Sequence, residues 1–233
     1  MCGIIGYTGT KNATPILLAG LEALEYRGYD SAGLSIGGVG IVKAVGKVAM
    51  LREKVASSVT ADATSGIAHT RWATHGEPSE VNAHPHIDTS GQLHLVHNGI
   101  IENYREIKDE LIGQGYTFYS ATDTEVLAKL IGSLYAGNLE QAVTKALARV
   151  RGAYGLVVTH EAEPGVIIVA RLGSPIVIGV AADGHYVASD AVALLPYTNR
   201  LVYLDDGEVA ILTPSTYQVK SESGTERQVV PET

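Results

Sequence analysis

The feature that most constrains the fold is a run of short apolar segments from residue 153 onward. Strands are predicted at 153–160, 166–171, 176–181, 185–189, 201–205 and 208–213, with hairpin signals at Asp183-Gly184 and Asp206-Gly207. The segment from Val166 to Ala170 is apolar at every position instead of alternating. Continuous apolar strands are typical of sheets that are covered on both faces. The chain from residue 153 onward is therefore predicted to form antiparallel sheet with layers on both sides.

The first half mixes strands with helices. Strands are predicted at the N-terminus, twice within 32–45, at 66–70 and at Leu93–His97, the last ending at a turn at Asn98-Gly99. A helix capped by Thr14, with Pro15 in its first turn, should end at Arg27-Gly28, and another should cover 47–57. Three further helix starts have the spacing of a capping box: Asn103 with Glu106, Thr122 with Glu125, and Asn138 with Gln141. Strands, then helices, then strands indicate an α+β architecture, with antiparallel sheets between helices.

Composition narrows the function classes. The 233 residues carry a net charge of −8, which argues against a nucleic-acid or anionic-membrane partner. No apolar run is long enough to span a bilayer, and no signal peptide is recognisable. A single cysteine excludes an internal disulfide and fits a reducing cytoplasm. Neither a zinc-ligand spacing nor a dinucleotide glycine motif is present, so we expect no metal and no cofactor.

That single cysteine is Cys2, directly after Met1. We expect Met1 to be removed because Cys2 is small, which would leave a free α-amine beside the thiol. An α-amine titrates near about 7.7–8.0, so part of it is an unprotonated base at neutral pH. Nucleophile and base would then lie on one residue, as in enzymes with an N-terminal threonine. Position alone equally allows a small apolar residue at the start of a buried strand.

Four ordered motifs decide between these interpretations. They are YRGYDSAG at 26–33, HTRWATHG at 69–76, HPH at 84–86 and VHNGIIEN at 96–103, and they follow CGIIG at 2–6. Together they resemble the class II glutamine amidotransferases, and among these the glutaminase domain of the isomerising glutamine–fructose-6-phosphate aminotransferases. The resemblance implies a four-layer αββα sandwich of the N-terminal-nucleophile hydrolase type. It also implies a glutaminase domain over 1–220, with 221–233 as a polar tail or the start of a linker to a sugar isomerase domain.

The resemblance assigns a role to each candidate residue. Cys2 is the nucleophile that forms a γ-glutamyl thioester, and the Asn98 amide and the Gly99 backbone N–H form the oxyanion hole. Arg71 holds the α-carboxylate of glutamine with Thr74 and His75, while Asp123 binds the α-ammonium. Trp72 gates the site, and Arg27, His86 and His97 support the residues that contact substrate. From the residues alone, Asn98-Gly99 could be a plain turn and Asp123 a helix-terminal acid.

The implied function is hydrolysis of L-glutamine to glutamate and ammonia. In the full-length enzyme, the ammonia would be used to convert fructose 6-phosphate to glucosamine 6-phosphate. We expect the full-length enzyme to be a homodimer located in the cytoplasm. One alternative is the glutaminase of another amidotransferase, which the HTRWATHG motif disfavours. The other is a catalytically silent module that only binds glutamine or a partner, which the presence of Cys2, Asn98 and Gly99 disfavours.

Overall fold

Two seven-stranded antiparallel sheets form the centre of the molecule. The computed structural model describes residues 2–58, 62–72, 76–221 and 223–232. The first sheet, in spatial order, contains β11 (Leu201–Tyr203), β9 (Val177–Ala181), β10 (Gly184–Ala188), β1 (Gly3–Gly9), β4 (Ser65–Arg71), β2 (Ser31–Ile36) and β3 (Gly40–Val45). The second contains β14 (Glu226–Arg227), β13 (Tyr217–Lys220), β12 (Val209–Leu212), β8 (Ile167–Leu172), β7 (Gly152–His160), β6 (Leu93–Ile101) and β5 (His86–Ile87).

Helices cover the outer face of each sheet. The described helices are α1 (Ala13–Leu24), α2 (Val48–Ser58), α3 (Tyr104–Gly113), α4 (Asp123–Leu134) and α5 (Leu139–Leu147), with short 3₁₀ turns at Glu25–Arg27 and Ala191–Ala193. One apolar cluster joins α1 and α2 to the first sheet, and a second joins α3, α4 and α5 to the second sheet. A third fills the space between the sheets. Three cores between four layers confirm the predicted α+β, αββα sandwich.

Strand alternation explains why both faces of a central strand are apolar. In β1, Ile4 belongs to the core between the sheets, whereas Ile5 belongs to the core under α1. Successive side chains point to opposite faces of a strand, so a strand between two layers needs apolar residues at both parities. In β8, Ile167 and Ile168 divide in the same way. The unbroken apolar run in β8 thus marks a doubly covered strand, as predicted.

Three predicted boundaries are wrong in detail. The side chain of Asn12, not Thr14, caps α1 by accepting from the Thr14 N–H at 3.0 Å. Asn103 precedes α3 without a side-chain cap, because its amide bonds the backbone of Arg149 and Arg151 instead. The strand predicted to end at a turn at Asn98-Gly99 continues as β6 to Ile101, paired throughout with β7.

The caps of α4 and α5 agree with the prediction. Thr122 accepts from the Glu125 N–H, and Asn138 accepts from the Gln141 N–H. Because the cap fixes the start of α4, Asp123 becomes its first residue. This placement is what aims Asp123 at the site described below.

Some of the residues after 220 pair with strands of the two sheets. β14 pairs with β13, and Glu232 bridges to Leu201 at the edge of the first sheet. The role of 221–233 as a tail or linker stays a prediction. No helix among the described residues is long and apolar enough to cross a membrane.

Candidate active site

The site forms where one end of each sheet meets the start of α4. Cys2 directly precedes β1, and because Gly3 pairs with Thr70 in β4, Cys2 lies beside Arg71 and Trp72. Most of the other site residues come from β6, from α4 and from the segment before β5. One cavity is lined by Cys2, Arg71, Trp72, His84, Gly99, Thr122, Asp123 and Thr124. Four of the predicted site residues besides Cys2 therefore line the same cavity as the thiol.

The Cys2 thiol is held by the backbone of Trp72. Its sulfur accepts from the Trp72 N–H at 3.2 Å and lies 3.6 Å from the Trp72 carbonyl oxygen. Burial raises the pKa of the Cys2 thiol, and the Trp72 hydrogen bond and the nearby Arg71 charge offset only part of that rise. At neutral pH the thiol is therefore protonated, and attack requires a base that removes its proton.

Asn98 is oriented from both ends of its carboxamide. Its Nδ2 donates to the Cys2 carbonyl oxygen at 3.1 Å, and its Oδ1 lies 3.0 Å from His69 Nε2. A carbonyl oxygen can only accept, so the nitrogen end of the amide must face Cys2. The second N–H of Nδ2 is not used by this bond. Asn98 thus brings an amide donor to the residue that carries the thiol.

Gly99 occupies a position that only glycine fits. Its φ is +127°, and a Cβ there would lie 2.1 Å from the Ala153 carbonyl oxygen of β7. The positive φ and this close approach to β7 each exclude a side chain. The glycine is needed inside a strand, not at the turn that the Asn-Gly dipeptide suggests.

Arg71 is a buried cation at the end of β4. Only 4% of the residue is exposed, and its guanidinium donates to the carbonyl oxygens of Gly76 at 3.2 Å and Glu77 at 3.4 Å. These bonds tie the end of β4 to the segment that follows residues 73–75. Thr74 and His75, both predicted to bind substrate, lie outside the described residues.

Asp123 is buried at the N-terminus of α4. One carboxylate oxygen, Oδ2, accepts from the Ile101 N–H at 2.8 Å, which links α4 to the end of β6. Asp123 lines the cavity together with Arg71. A carboxylate and a guanidinium on one cavity are complementary to the two charges of an amino-acid head group.

Trp72 and Arg27 lie in the loops around the thiol. Trp72 is 48% exposed and makes an edge-on contact with Tyr29, with ring centroids 5.7 Å apart. Arg27 pairs with Asp190 at 2.8 Å, and the same carboxylate accepts from the Tyr26 hydroxyl. Asp190 also caps the 3₁₀ turn after β10. Arg27 therefore fixes the 26–29 loop to the first sheet and does not line the cavity.

Four buried histidines, His69, His84, His86 and His97, lie at or near the cavity, and His84 lines it. His86 Nε2 is 3.0 Å from Thr122 Oγ1, while His97 Nδ1 and His84 Nε2 are each 3.0 Å from Thr124 Oγ1. Burial lowers the pKa of all of them, to about 3 for His69, so they are neutral at pH 7. His86 and His97 thus act on the start of α4 through threonine hydroxyls.

Sequence reasoning missed His69, His84, Thr122 and Thr124 as site residues. His69 was within reach of prediction, because side chains two positions apart lie on the same face of a strand and Arg71 was already assigned to substrate. Across the described ranges, no three His, Cys, Asp or Glu side chains are grouped to hold a metal ion.

Comparison with known proteins identifies relatives of most of the chain. Residues 42–227 match the family model described as glutamine amidotransferase domain. Glutamine–fructose-6-phosphate aminotransferase (isomerizing) of Chlorobaculum tepidum is 51% identical over 236 residues, which cover 98% of this chain and 38% of the relative. The protein of the same name from Thermus thermophilus is 49% identical, covering 96% of this chain and 37% of the relative. The chain therefore spans well under half the length of these relatives.

Solved structures show the same architecture. The glutamine phosphoribosylpyrophosphate amidotransferase of B. subtilis superposes with a TM-score of 0.81 at 28% identity, covering 94% of this chain and 49% of that one. A class-II glutamine aminotransferase domain protein from Silicibacter pomeroyi gives a TM-score of 0.61 at 17% identity, which supports the fold alone.

Proposed function

The chain belongs to the glutamine amidotransferase domain family, and we propose that it hydrolyses the side-chain amide of L-glutamine to glutamate and ammonia through Cys2. The observation that carries the proposal is the shared cavity. A thiol, a buried cation, a buried carboxylate and a glycine N–H position all line it, at Cys2, Arg71, Asp123 and Gly99. These are the groups that an amide hydrolase for an α-amino acid requires.

The chemistry proceeds in two covalent steps. The Cys2 sulfur attacks the side-chain carbonyl carbon of glutamine, a C–S bond forms, and the C–N bond breaks to release ammonia after the nitrogen gains a proton. Water then adds to the γ-glutamyl thioester, the C–S bond breaks, and glutamate leaves while the thiol regains its proton. One water is consumed per glutamine, and no oxidant or reductant is needed.

The α-amine of Cys2 supplies the base. Because burial raises the pKa of the thiol, Cys2 is protonated at neutral pH and needs a base. An α-amine with a pKa near about 8 can accept that proton and return it to the departing ammonia. This role requires removal of Met1, because an amine within a peptide bond is not basic.

Asn98 and Gly99 stabilise the negative charge that develops on the substrate oxygen. The N–H of Asn98 Nδ2 that does not bond Cys2 O is one donor, and the backbone N–H of Gly99 is the other. Both come from β6, which pairs with β7 at these two positions, so their backbone is held in place. Rigid donors need little rearrangement in the transition state, which is where they contribute most.

The head group of glutamine lies between Arg71 and Asp123. Arg71 offers a planar fork of donors to the α-carboxylate, and Asp123 offers its second oxygen to the α-ammonium. Thr74 and His75 complete the carboxylate site. Trp72 closes over bound glutamine, a role that its exposure and its backbone contact with the thiol support.

The ammonia is used by the rest of a longer protein. The names of the relatives indicate transfer to fructose 6-phosphate with isomerisation, so a sugar isomerase domain of the same chain would form glucosamine 6-phosphate. We further propose that the full-length protein is a cytoplasmic homodimer. The rival assignment is to another amidotransferase. It is weaker because the relatives named glutamine–fructose-6-phosphate aminotransferase are 51% and 49% identical over nearly all of this chain. The phosphoribosylpyrophosphate amidotransferase is only 28% identical.

The test is glutamate formation from L-glutamine by the purified chain, with Cys2→Ala as the matched control. We expect turnover by the parent and none by Cys2→Ala, whose fold and glutamine binding should survive because only the nucleophile is lost. D-Glutamine and L-asparagine should be poor substrates. A parent that binds glutamine without producing glutamate would support the silent-module alternative and overturn this proposal.

A further inference from the structure

His69 and Asn98 contact each other across the space between the two sheets. His69 lies in β4 of the first sheet, is fully buried, and has its Nε2 3.0 Å from Asn98 Oδ1 in β6 of the second. Neither His69 nor Asn98 is among the described residues that line the cavity. His69 contacts the Oδ1 end of the carboxamide, whereas the Nδ2 end is directed at Cys2.

The hydrogen-bond pattern fixes the protonation of this imidazole. Because Asn98 Nδ2 faces the Cys2 carbonyl oxygen, Asn98 Oδ1 must face His69 and can only accept. His69 Nε2 must then carry a hydrogen. Burial lowers the pKa of His69 to about 3, so the ring is neutral and this is its only N–H.

We propose that His69 is a positioning residue that keeps the nitrogen end of the Asn98 carboxamide directed at the substrate oxygen. This inference rests on the proposed function. Rotation of the carboxamide by half a turn would present Oδ1 to the developing oxyanion and to the Cys2 carbonyl oxygen, and both contacts are repulsive. It would also set Nδ2 against the His69 N–H, so His69 adds to the Cys2 carbonyl oxygen in favouring one orientation.

A purely structural role is the competing explanation. The His69 ring also packs against the His84 ring at a tilt of 33°, with centroids 4.0 Å apart, so replacing it will disturb the packing between the sheets. Disturbed packing lowers stability, but it does not act through one amide. Kinetic coupling between His69 and Asn98 separates the two roles.

The experiment compares His69→Leu with His69→Gln, whose amide nitrogen can occupy the place of Nε2. His69→Leu should lower kcat by about 10- to 100-fold with little change in KM. This fall should not exceed the fall of about 10²–10³ that losing a whole oxyanion donor causes. His69→Gln should restore most of that loss. In an Asn98→Ala background, His69→Leu should cause no further fall in kcat. The proposal would be overturned if His69→Leu lowered kcat equally in the parent and in the Asn98→Ala background. It would also be overturned if the His69→Gln variant were as slow as His69→Leu.

His185→Leu is the matched control. His185 is a buried histidine of the same sheet, bonded through Nδ1 to the Thr213 carbonyl oxygen at 2.7 Å and absent from the cavity lining. Its loss should lower the melting temperature without the kcat effect. If His185→Leu lowers kcat as much as His69→Leu does, the effect is structural and the positioning role is wrong.

A second measurement does not depend on activity. Nitrogen-15 NMR of the 233-residue chain should show neutral His69 protonated at Nε2 and restricted exchange of the Asn98 amide hydrogens. Protonation at Nδ1 would overturn the positioning role even in an active enzyme. An inactive parent with the expected NMR signature would instead reject the proposed function and leave the Asn98 orientation standing.

Discussion

The Cys2 sulfur lies 3.2 Å from the Trp72 backbone nitrogen, so the thiol at the start of one strand is bonded to the residue that follows its neighbour, β4. The same pairing places Arg71 next to Cys2. The proposed nucleophile, carboxylate-binding cation and gating side chain therefore lie together at one end of two neighbouring strands. Any shift of β4 against β1 would move Arg71 and Trp72 relative to Cys2.

Arg71→Lys should raise KM for glutamine more than it lowers kcat. A lysine ammonium cannot reproduce the two parallel hydrogen bonds that a guanidinium makes to a carboxylate. Arg52→Lys is the control, because Arg52 forms an exposed ion pair with Glu22 on α1 and should change neither constant. An Arg71→Lys enzyme with unchanged KM and lowered kcat would show that Arg71 does not bind the substrate head group.

Asn98→Ala should show the opposite signature. In the proposed oxyanion hole its amide would act on charge that exists only in the transition state, so kcat should fall by about 10²–10³ with a modest change in KM. Asn103→Ala, which removes a buried amide bonded to the backbone of Arg149 and Arg151, should lower the melting temperature and spare kcat. A destabilised but fully active Asn98→Ala enzyme would remove Asn98 from the oxyanion hole.

Gly99→Ala should destabilise the fold as well as the site. The added Cβ would meet the Ala153 carbonyl oxygen at 2.1 Å and force an alanine into φ +127°. Gly91→Ala is the matched control, because Gly91 has φ +76° and nothing within 4 Å of the added Cβ. The loss of melting temperature should be clearly larger at position 99. Equal losses would mean that β6 and β7 separate easily at this point.

Stability should fall as the pH is lowered from about 7 towards 5.5, a range that lies above the usual titration of carboxylates. The buried His69, His84, His86 and His97 have folded-state pKa values below the ordinary value near about 6.5. Below that value the unfolded chain takes up protons that the folded chain does not, so protonation favours unfolding. Each fully neutral histidine contributes up to about 1.4 kcal/mol per pH unit. Urea unfolding across this range checks the prediction, and a flat free energy of unfolding would show that these histidines are protonated in the fold.

Local chemistry explains which parts of the fold the sequence could predict. The unbroken apolar run of β8 indicates that both faces of the strand are covered, and the spacing of Thr122 and Glu125 predicts the start of α4. Both signals could be recognised because they depend only on residues that are close in the chain. β13 and β14 escaped prediction because both are short and mostly polar, and β14 is the edge strand of its sheet. Asn12 was missed as a cap because Thr14 and Pro15 form an equally good local signal two residues later.

The site shows the same limit. Motif resemblance supplied Cys2, Arg71, Gly99 and Asp123, which share a cavity. It could not supply the His69–Asn98 contact, because that contact exists only once the two sheets face each other. The Asn98-Gly99 dipeptide taken alone suggested a turn, where pairing with β7 instead continues the strand through a positive φ.

The most direct test of the account is to measure glutaminase activity before and after exposing the α-amine of Cys2. The chain is prepared with an N-terminal extension that a protease removes to leave Cys2 first, and intact mass verifies each state. The extended chain should bind glutamine but produce almost no glutamate, and the trimmed chain should turn over, because only the trimmed chain carries the free amine. Equal activity in both states would contradict the claim that the nucleophile and its base reside on one residue.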